Sequence, residues 1–255
     1  MRATQRASSV YADFLLPHLS DETDLVDVGC GDGELTVDLA RSVRSVVGID
    51  IDQADLAAAR ARAHRESVGN ATFEVADVYA LGLADGVAGA VLGHSVLEAL
   101  EHPLRALAEM RRVLRSGGVV GVASVEYGGL ILAGPHEDLL RRFYAIREQL
   151  WGREGADPYL GRRLRGLLSE SGFTDVEATT KAIPYGTTEL VATFGRGRAD
   201  DCQDEWYVTS AVEAGLATSA EIAKMHDAWL EWAQSPASYA SFTWCRALGW
   251  KRPPA

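Results

Sequence analysis

Three glycines spaced as in nucleotide-binding turns are the first residues whose pattern indicates chemistry. Gly29, Gly31 and Gly33 follow a short apolar run, 25–28, which we predict to be a buried strand. Glycine has no Cβ, so the backbone can bend sharply and approach a ligand closely. The amphipathic stretch from about Glu34 is predicted to be a helix. Its first N–H groups and positive dipole end would favour an anionic group such as a carboxylate or phosphate.

A carboxylate follows at the end of the next predicted strand. Asp50 comes about 20 residues after the first glycine, where an acid usually binds the ribose hydroxyls of a nucleotide. That spacing does not separate nicotinamide dinucleotides from other adenosine-bearing ligands. The glycine pattern is more informative, because a dinucleotide fingerprint would require a third glycine where this chain has Glu34. The pattern therefore disfavours a nicotinamide dehydrogenase.

Alternating strands and helices must hold these residues in place. Strands are predicted at 25–28, 46–50, 72–77, 90–94 and 119–125. Helices are predicted near 34–41, 53–67 and 103–115, the last ended by Gly117 and Gly118. Near-continuous apolar strands that alternate with helices predict an α/β fold, a doubly wound and mostly parallel sheet covered on both faces. Ligands of such sheets bind beyond the carboxyl ends of the strands, where the glycine turn and Asp50 would lie.

The second half of the chain has a different character. We predict a loop at 127–135, helices at 137–151 and 159–171, and a strand at 176–183. The stretch 187–206 is predicted to be irregular or partly helical. A helix is predicted from the capping box Thr218-x-x-Glu221 to about 234, followed by a strand at 239–248. All six tryptophans lie at or after position 151, as core packing or as the wall of an apolar substrate pocket. The predicted organisation is an N-terminal arm (1–20, helical over 9–16), a core (21–127), a lid and helix (128–172), and C-terminal strands with a helical substrate-cap insertion in the same domain (173–255).

Composition limits the classes of function. With 47% hydrophobic and 24% charged residues in 255, the chain should bury a good core and is not expected to be disordered. A formal net charge of −11 argues against nucleic-acid binding, although a tRNA substrate stays open. The three cysteines, Cys30, Cys202 and Cys245, lack metal-ligand spacing and predict reduced thiols in a cytoplasmic protein without a metal. No apolar run reaches the length of a membrane span.

Four ordered motifs resemble the class I S-adenosylmethionine (SAM)-dependent methyltransferases. They are Val26-Asp-Val-Gly-Cys-Gly-Asp-Gly33, Val47-Gly-Ile-Asp50, Val75-Ala-Asp77 and Glu109-Met-Arg-Arg-Val-Leu-Arg-Ser-Gly-Gly118, with a looser match over 164–173. The pattern is most similar to the ubiquinone and menaquinone C-methyltransferase group. The resemblance implies a Rossmann-like fold, SAM as cofactor with S-adenosylhomocysteine as product, and methyl transfer to O, N or C of a small-molecule acceptor. Besides this acceptor we expect no nucleic-acid or membrane partner. The chain is expected to be a monomer or a homodimer.

The resemblance also implies roles for individual residues around the cofactor. Gly29, Gly31 and Gly33 would wrap its methionine part, with Cys30 as a small residue between them and Asp27 supporting the turn. Asp50 would bind the ribose hydroxyls, and Ile51 would pack on the adenine ring, whose amino group Asp77 would accept from and to which Val78 would offer its backbone N–H. His94 and Ser95 would flank the sulfonium end. For Asp77, capping of a turn or helix is the alternative.

No Ser-His-Asp, Cys-His or metal-ligand constellation is visible in the sequence, so the catalytic candidates come from their predicted positions. His94 is the first candidate for a base or an acceptor-orienting group; a histidine bonded to cofactor or backbone is the alternative. Glu126 and Tyr127 follow the fifth strand and could contact the acceptor. His136 lies in the predicted lid, where a solvated loop histidine is the alternative, and Tyr11 could either close the site or pack.

The helix carrying Arg141, Arg142 and Arg147 is either a solvated face or a surface that attracts an acidic acceptor.

The chain departs from the family pattern at Gly89, Ser116 and Ala99. Ala99 replaces a frequent histidine, so the mechanism of relatives cannot be copied. Two further classes of function therefore remain: a SAM-fold enzyme that does not methylate, such as a cyclase or lyase-like enzyme, and a binding protein that senses SAM.

Overall fold

The computed structural model describes residues 7–252, which contain a seven-stranded sheet of order β3-β2-β1-β4-β5-β7-β6. The strands are β1 (Asp24–Val28), β2 (Ser45–Asp50), β3 (Ala71–Val75), β4 (Ala88–His94), β5 (Leu114–Ala133), β6 (Thr174–Tyr185) and β7 (Tyr239–Trp250). The pairs β1–β2, β2–β3, β1–β4 and β4–β5 are parallel, with Val26 opposite both Val47 and Val91. The chain order reverses between β1 and β4, which creates the predicted switch point and confirms the α/β class.

Nine α-helices occur within residues 7–252. They are α1 (Ala7–Tyr11), α2 (Glu34–Leu39), α3 (Gln53–Arg65), α4 (Pro103–Val113), α5 (Glu137–Arg153), α6 (Leu164–Glu170), α7 (Thr188–Asp201), α8 (Glu205–Glu213) and α9 (Ser219–Trp232). Local chemistry explains several of their starts. Asp52 caps α3 by accepting from the N–H groups of Ala54 and Asp55, and Pro103 occupies the first turn of α4. The predicted capping box of α9 is present in full.

The described residues form two compact units. The first comprises the chain up to Ser124, Leu160–Thr180 and the chain from Cys245; the second comprises Val125–Tyr159 and Lys181–Trp244. The first unit buries aliphatic side chains of the sheet and of α4, such as Val91 and Leu107. The second has an aromatic core that includes Trp229 and Trp232, both fully buried, which confirms core packing for these two tryptophans. Residues 1–6 of the predicted N-terminal arm lie outside the described residues.

The loop predicted at 127–135 is wrong, because β5 continues through Ala133. The stretch holds three glycines and a proline, residue types that are common in loops. In the structure a Cβ on Gly129 would collide with the side chain of Thr243 on β7, and the Thr243 hydroxyl donates to the carbonyl of Gly129. Glycine is therefore required here for the close approach of two strands, which a sequence pattern cannot distinguish from a turn.

The glycine pair predicted to end α4 also has another role. The helix ends at Val113, and Gly117 and Gly118 exchange backbone hydrogen bonds with Lys251, with N···O distances of 2.7 and 2.9 Å. Gly117 has φ +79°, which glycine adopts without strain. The pair thus bonds to the last part of the described chain instead of capping the helix.

Three helix predictions need correction. The stretch 187–206 is almost entirely helical, because Thr187 caps α7 and Asp204 caps α8 through their side-chain oxygens. The helix predicted at 159–171 begins as a 3₁₀ turn, Leu160–Arg163, before α6. The helix predicted at 9–16 is shorter, and a separate 3₁₀ turn with a proline follows at Leu16–His18.

A search for membrane spans found no helix in residues 7–252 with the length and apolar character needed to cross a bilayer.

Candidate functional site

The glycine turn between β1 and α2 is fastened to the tip of β2. The N–H groups of Gly29 and Cys30 both donate to the carbonyl of Ile49, at 2.7 and 3.0 Å. All three glycines have positive φ, between +51° and +75°. A Cβ on Gly29 would collide with Val96, and one on Gly33 would come within 2.6 Å of Ala59, whereas one on Gly31 would meet nothing within 4 Å. Close packing against Val96 and Ala59 therefore explains why residues 29 and 33 are glycines. At Gly31 the space that a Cβ would occupy is open.

Asp50 links this turn to the end of β2. Its Oδ2 accepts from the N–H of Gly31 at 2.8 Å, and its Oδ1 accepts from the N–H of Asp52 at 3.0 Å. A carboxylate has about four acceptor positions, so these two bonds leave capacity for hydroxyl donors of a ligand. Ile51 follows directly and is 72% exposed, an unusual environment for a large apolar side chain. The pair offers a polar and an apolar contact side by side.

A cavity of about 390 Å³ lies at this edge of the sheet. Its volume is in the range of small-molecule pockets, about 300–1,000 Å³. Six residues predicted from the sequence line it: Gly29, Asp50, Ile51, Asp77, Val78 and Ser95. The ends of β1, β2 and β4 and the chain after β3 thus bring these residues together, as the parallel topology requires.

Asp77 lies just beyond β3 and is exposed. Its Oδ1 accepts from the N–H of Tyr79 at 2.8 Å, and its carbonyl accepts from the N–H of Ala80. The carboxylate therefore does cap a turn, as the alternative interpretation predicted, and it also lines the cavity. The turn holds Asp77 and Val78 in place, and the adenine-binding roles of both residues stay predictions.

Asp27 does not line the cavity. It is 2% exposed, and its Oδ2 accepts from the hydroxyl of Thr36 at 2.5 Å, which ties β1 to α2. Burial raises the pKa of Asp27 to about 7; the Thr36 hydrogen bond partly opposes this and the charge of Asp50 adds to it. Cys30, in the turn, has a thiol pKa raised first by burial and then by the charges of Asp27 and Asp50. It is therefore a protonated, unreactive thiol at neutral pH.

His94 and Tyr11 contact each other in the first unit. Their ring centroids are 5.3 Å apart in an edge-to-face arrangement. Burial lowers the pKa of His94 to about 4, so the imidazole is neutral at pH 7 and has one nitrogen that can accept a proton. The structure thus brings together one predicted catalytic residue and one predicted substrate contact from distant parts of the chain.

Ser95 connects the end of β4 to a buried acid that the sequence analysis did not select. Ser95 has φ +59°, and its hydroxyl donates to Oε1 of Glu98 at 3.0 Å. The other oxygen of Glu98 accepts from Ser124 at 2.6 Å, and Glu98 is 1% exposed. A buried glutamate four residues after the end of β4, bonded to two serines, therefore holds a cavity-lining residue in a strained conformation.

Three predicted residues lie in the second unit. Glu126 is buried, and its Oε1 accepts from the N–H of Gly128 at 3.0 Å. Tyr127 packs against Tyr144 with a centroid distance of 5.8 Å, and burial raises its pKa. His136 is half exposed, and its Nε2 lies 2.6 Å from Oε2 of Glu231. Their roles toward an acceptor stay predictions.

The sequence analysis also missed part of the cavity wall. Tyr79, Val96, Ala99 and Leu100 line the cavity, and the Tyr79 ring lies 4.8 Å from the guanidinium of Arg105. Tyr79 could have been found from its place two residues after a strand-end aspartate. Ala99, where the sequence analysis noted a departure from the family pattern, makes that part of the wall apolar.

This arrangement fits an adenosine-bearing cofactor. The cavity has exposed backbone at Gly29, a carboxylate with remaining acceptor capacity at Asp50, an exposed apolar side chain at Ile51 and a second carboxylate at Asp77. Among residues 7–252 no three His, Cys, Asp or Glu side chains are grouped as metal ligands. The side chains present favour hydrogen bonding and apolar contact with a nucleoside.

Comparison with known proteins agrees with this geometry. Residues 26–122 match a family described as "Methyltransferase domain". The chain is 31% identical over 176 residues to an uncharacterized 37.1 kDa protein in transposon TN4556 of Streptomyces fradiae, covering 67% of this chain and 50% of that protein. It is 29% identical to the probable methyltransferase ltbC of Aspergillus luteorubrus, covering 97% of this chain and 92% of that one. The chain thus spans half of the first relative and nearly all of the second.

A solved structure shares the fold across the whole chain. The [4+2]-cyclase SpnF matches 100% of this chain and 85% of its own, with a TM-score of 0.59 and 22% sequence identity. At that identity the likeness concerns the fold alone.

Proposed function

The chain belongs to the class I SAM-dependent methyltransferases, and we propose that it transfers a methyl group from SAM to an oxygen, nitrogen or carbon of a small molecule. The observation that carries this proposal is the cavity that brings Gly29, Asp50, Ile51 and Asp77 together. The family match over residues 26–122 supports it independently of the geometry.

In this proposal the residues of the first unit hold the cofactor. Asp50 accepts hydrogen bonds from ribose hydroxyls while it keeps the glycine turn closed through the N–H of Gly31. Ile51 covers one face of the adenine, and Asp77 and Val78 contact its polar edge. When bound, SAM supplies a methyl group on a positively charged sulfur. Binding and alignment by the chain can lower the barrier of such a reaction by about 7–11 kcal/mol.

His94 is the proposed proton acceptor or acceptor-orienting group. With a pKa lowered to about 4 by burial, the imidazole is neutral at physiological pH and only a weak base, so it is better suited to orient an acceptor through a hydrogen bond than to remove its proton. The edge-to-face contact with Tyr11 restrains the imidazole ring. A strong base is not required, because the chain's main task is alignment and exclusion of water.

Calorimetric titration of SAM into the Asp50→Ala variant tests the cofactor site. A charge-assisted hydrogen bond contributes about 1.5–3 kcal/mol, so the affinity should fall about tenfold or more. The control is Asp138→Ala, which removes an exposed carboxylate in the first turn of α5 and should leave the affinity unchanged. Equal affinities in the two variants would remove the assignment.

Mass spectrometry of reactions with a library of small acceptors tests the activity. Methyl transfer predicts a product heavier by one methylene group together with S-adenosylhomocysteine. Turnover without either product would favour an enzyme that uses the fold for other chemistry. A protein that binds SAM with normal affinity but yields no product from any acceptor would favour a SAM sensor.

A further inference from the structure

Two arginines share one carboxylate in the second unit. Arg147 on α5 and Arg198 on α7 each form an ion pair with the same oxygen, Oδ2 of Asp201, at 3.0 and 3.1 Å. The group therefore carries one positive charge in excess. The two arginine side chains are only 19% and 28% exposed. A mostly buried charge that no opposite charge balances is unfavourable, so the excess positive charge of this group requires an explanation.

Unused hydrogen-bond donors accompany this excess charge. Nε of Arg147 is buried and has no hydrogen-bond partner among residues 7–252. The hydroxyl of Tyr144, one helical turn earlier on α5, lies beside the guanidinium of Arg198, which can only donate, so the hydroxyl's own hydrogen has no acceptor among residues 7–252; Tyr144 is 5% exposed. Buried donors in native proteins are nearly always satisfied. Two unsatisfied donors beside an excess cation indicate that an acceptor with negative charge belongs here.

Arg141 and Arg142, on the same helix, differ from Arg147. Arg141 is bonded to Glu137 and to the carbonyl of Leu132, and Arg142 donates to the carbonyl of Leu216. Both are accounted for by contacts with their surroundings. Unlike these two, Arg147 shares its carboxylate with a second arginine, Arg198.

Aromatic rings surround the two guanidinium groups. The Trp151 ring lies 5.8 Å from the guanidinium of Arg147, and the Phe194 ring lies 5.6 Å from that of Arg198. The centroid of Tyr127 is 5.6 Å from that of Trp151. Burial raises the pKa of Tyr127. The charge of Arg147, a hydrogen bond from Arg147 and the charge of Arg198 oppose this rise, and Asp201 adds to it. The charged groups and the aromatic rings thus belong to one neighbourhood.

We propose that Arg147 and Arg198 bind the carboxylate of an aromatic acid. Arginine presents paired N–H donors that match a carboxylate, and aromatic side chains pack well against an aromatic ring. A second carboxylate would balance the two arginines, and the Tyr144 hydroxyl could donate to it. This inference concerns binding within the second unit. It goes beyond methyl transfer and does not depend on it.

A purely structural ion-pair network that joins α5 to α7 is the competing explanation. The two readings predict opposite effects of Arg198→Gln on the unliganded protein. Removal of one arginine leaves a balanced pair of Arg147 and Asp201, so a ligand site predicts unchanged or increased stability. A structural network predicts a loss, because an interaction between two helices is removed. Urea unfolding of the full chain distinguishes the two.

Titration calorimetry with benzoate, benzamide and inorganic phosphate tests the binding site. Benzoate and benzamide share a ring and differ in charge, so benzoate should bind and benzamide should not. Arg147→Gln and Arg198→Gln should each weaken benzoate binding at least tenfold. The matched control is Arg142→Gln on the same helix, which should keep the affinity of the unmodified protein.

Several outcomes would overturn the proposal. These are absence of benzoate binding, equal binding of benzamide, and unchanged benzoate affinity in Arg198→Gln. A larger loss of stability in Arg198→Gln than in Arg142→Gln would identify a structural network instead. Phosphate binding as tight as that of benzoate would contradict the assignment of an aromatic acid.

Discussion

Replacement of Asp27 by asparagine should stabilise the folded protein at neutral pH. The carboxyl group is 2% exposed at the end of β1, where water cannot solvate its charge. Its contact with Thr36 should survive, because the asparagine carbonyl can accept the same hydroxyl donor at the 2.5 Å position. The variant therefore removes the buried charge and keeps the local hydrogen bond.

The sign follows from the two pKa values. In the folded chain burial raises the pKa of Asp27 to about 7, against an ordinary value of 3.8. Between these values the folded state holds a proton that the unfolded state has released. The contribution of Asp27 to stability is therefore fully present below the ordinary pKa and is lost as the pH rises through about 7. A shift of about three pH units corresponds to about 4 kcal/mol.

Urea unfolding of both proteins without cofactor, at steps between about pH 4 and pH 8, measures this effect. The free energy of unfolding of Asp27→Asn minus that of the original protein should rise across the range, by up to about 4 kcal/mol. Asp24→Asn serves as the control. Hydrogen bonds from Arg44 and Ser45 lower the pKa of Asp24, so its contribution is lost only as the pH falls below the ordinary value. A flat difference for Asp27→Asn would refute the reasoning.

Three further substitutions test the turn, the cavity and a helix cap. Gly29→Ala should destabilise more than Gly31→Ala, which costs about 1 kcal/mol from backbone strain alone, because only the former collides with Val96; equal losses in urea unfolding would contradict this. Ile51→Ser should change stability by less than about 0.5 kcal/mol, since the side chain is 72% exposed, yet weaken SAM binding in calorimetry; unchanged affinity would exclude a contact with the adenine. Thr218→Ala should lower stability by about 1 kcal/mol through loss of the capping box, and Thr218→Ser should restore it; a loss in both variants would indicate another cause.

Much of the first half of the fold could be predicted from the sequence. The starts of α3 and α4, the glycine turn and the strand ends at Asp50 and His94 depend on neighbouring residues, whose caps, periodicity and glycines are visible in the chain. Parallel βα topology then requires the strand ends to meet at one edge. The cavity-lining positions of Gly29, Asp50 and Asp77 follow from that rule alone.

The second half was less predictable because its decisive contacts are distant in sequence. The extension of β5 through Gly129 depends on Thr243, and the glycines at 117 and 118 pair with Lys251. Nothing near these glycines distinguishes a turn from a close strand contact. The short loop between α7 and α8 is a different case, because the caps that define the two helices, Thr187 and Asp204, are local and visible in the sequence.

Sequence alone thus determined the α/β class, the edge of the sheet that carries the cavity and six of the residues that line it, because these follow from local periodicity and a general topological rule. Only the tertiary structure decided the protonation of Asp27, the buried link of Glu98 to two serines, and the pairing of Arg147 and Arg198 on one carboxylate. Charge state and ion pairing depend on burial and on partners that folding brings together. Residue type and spacing do not specify either.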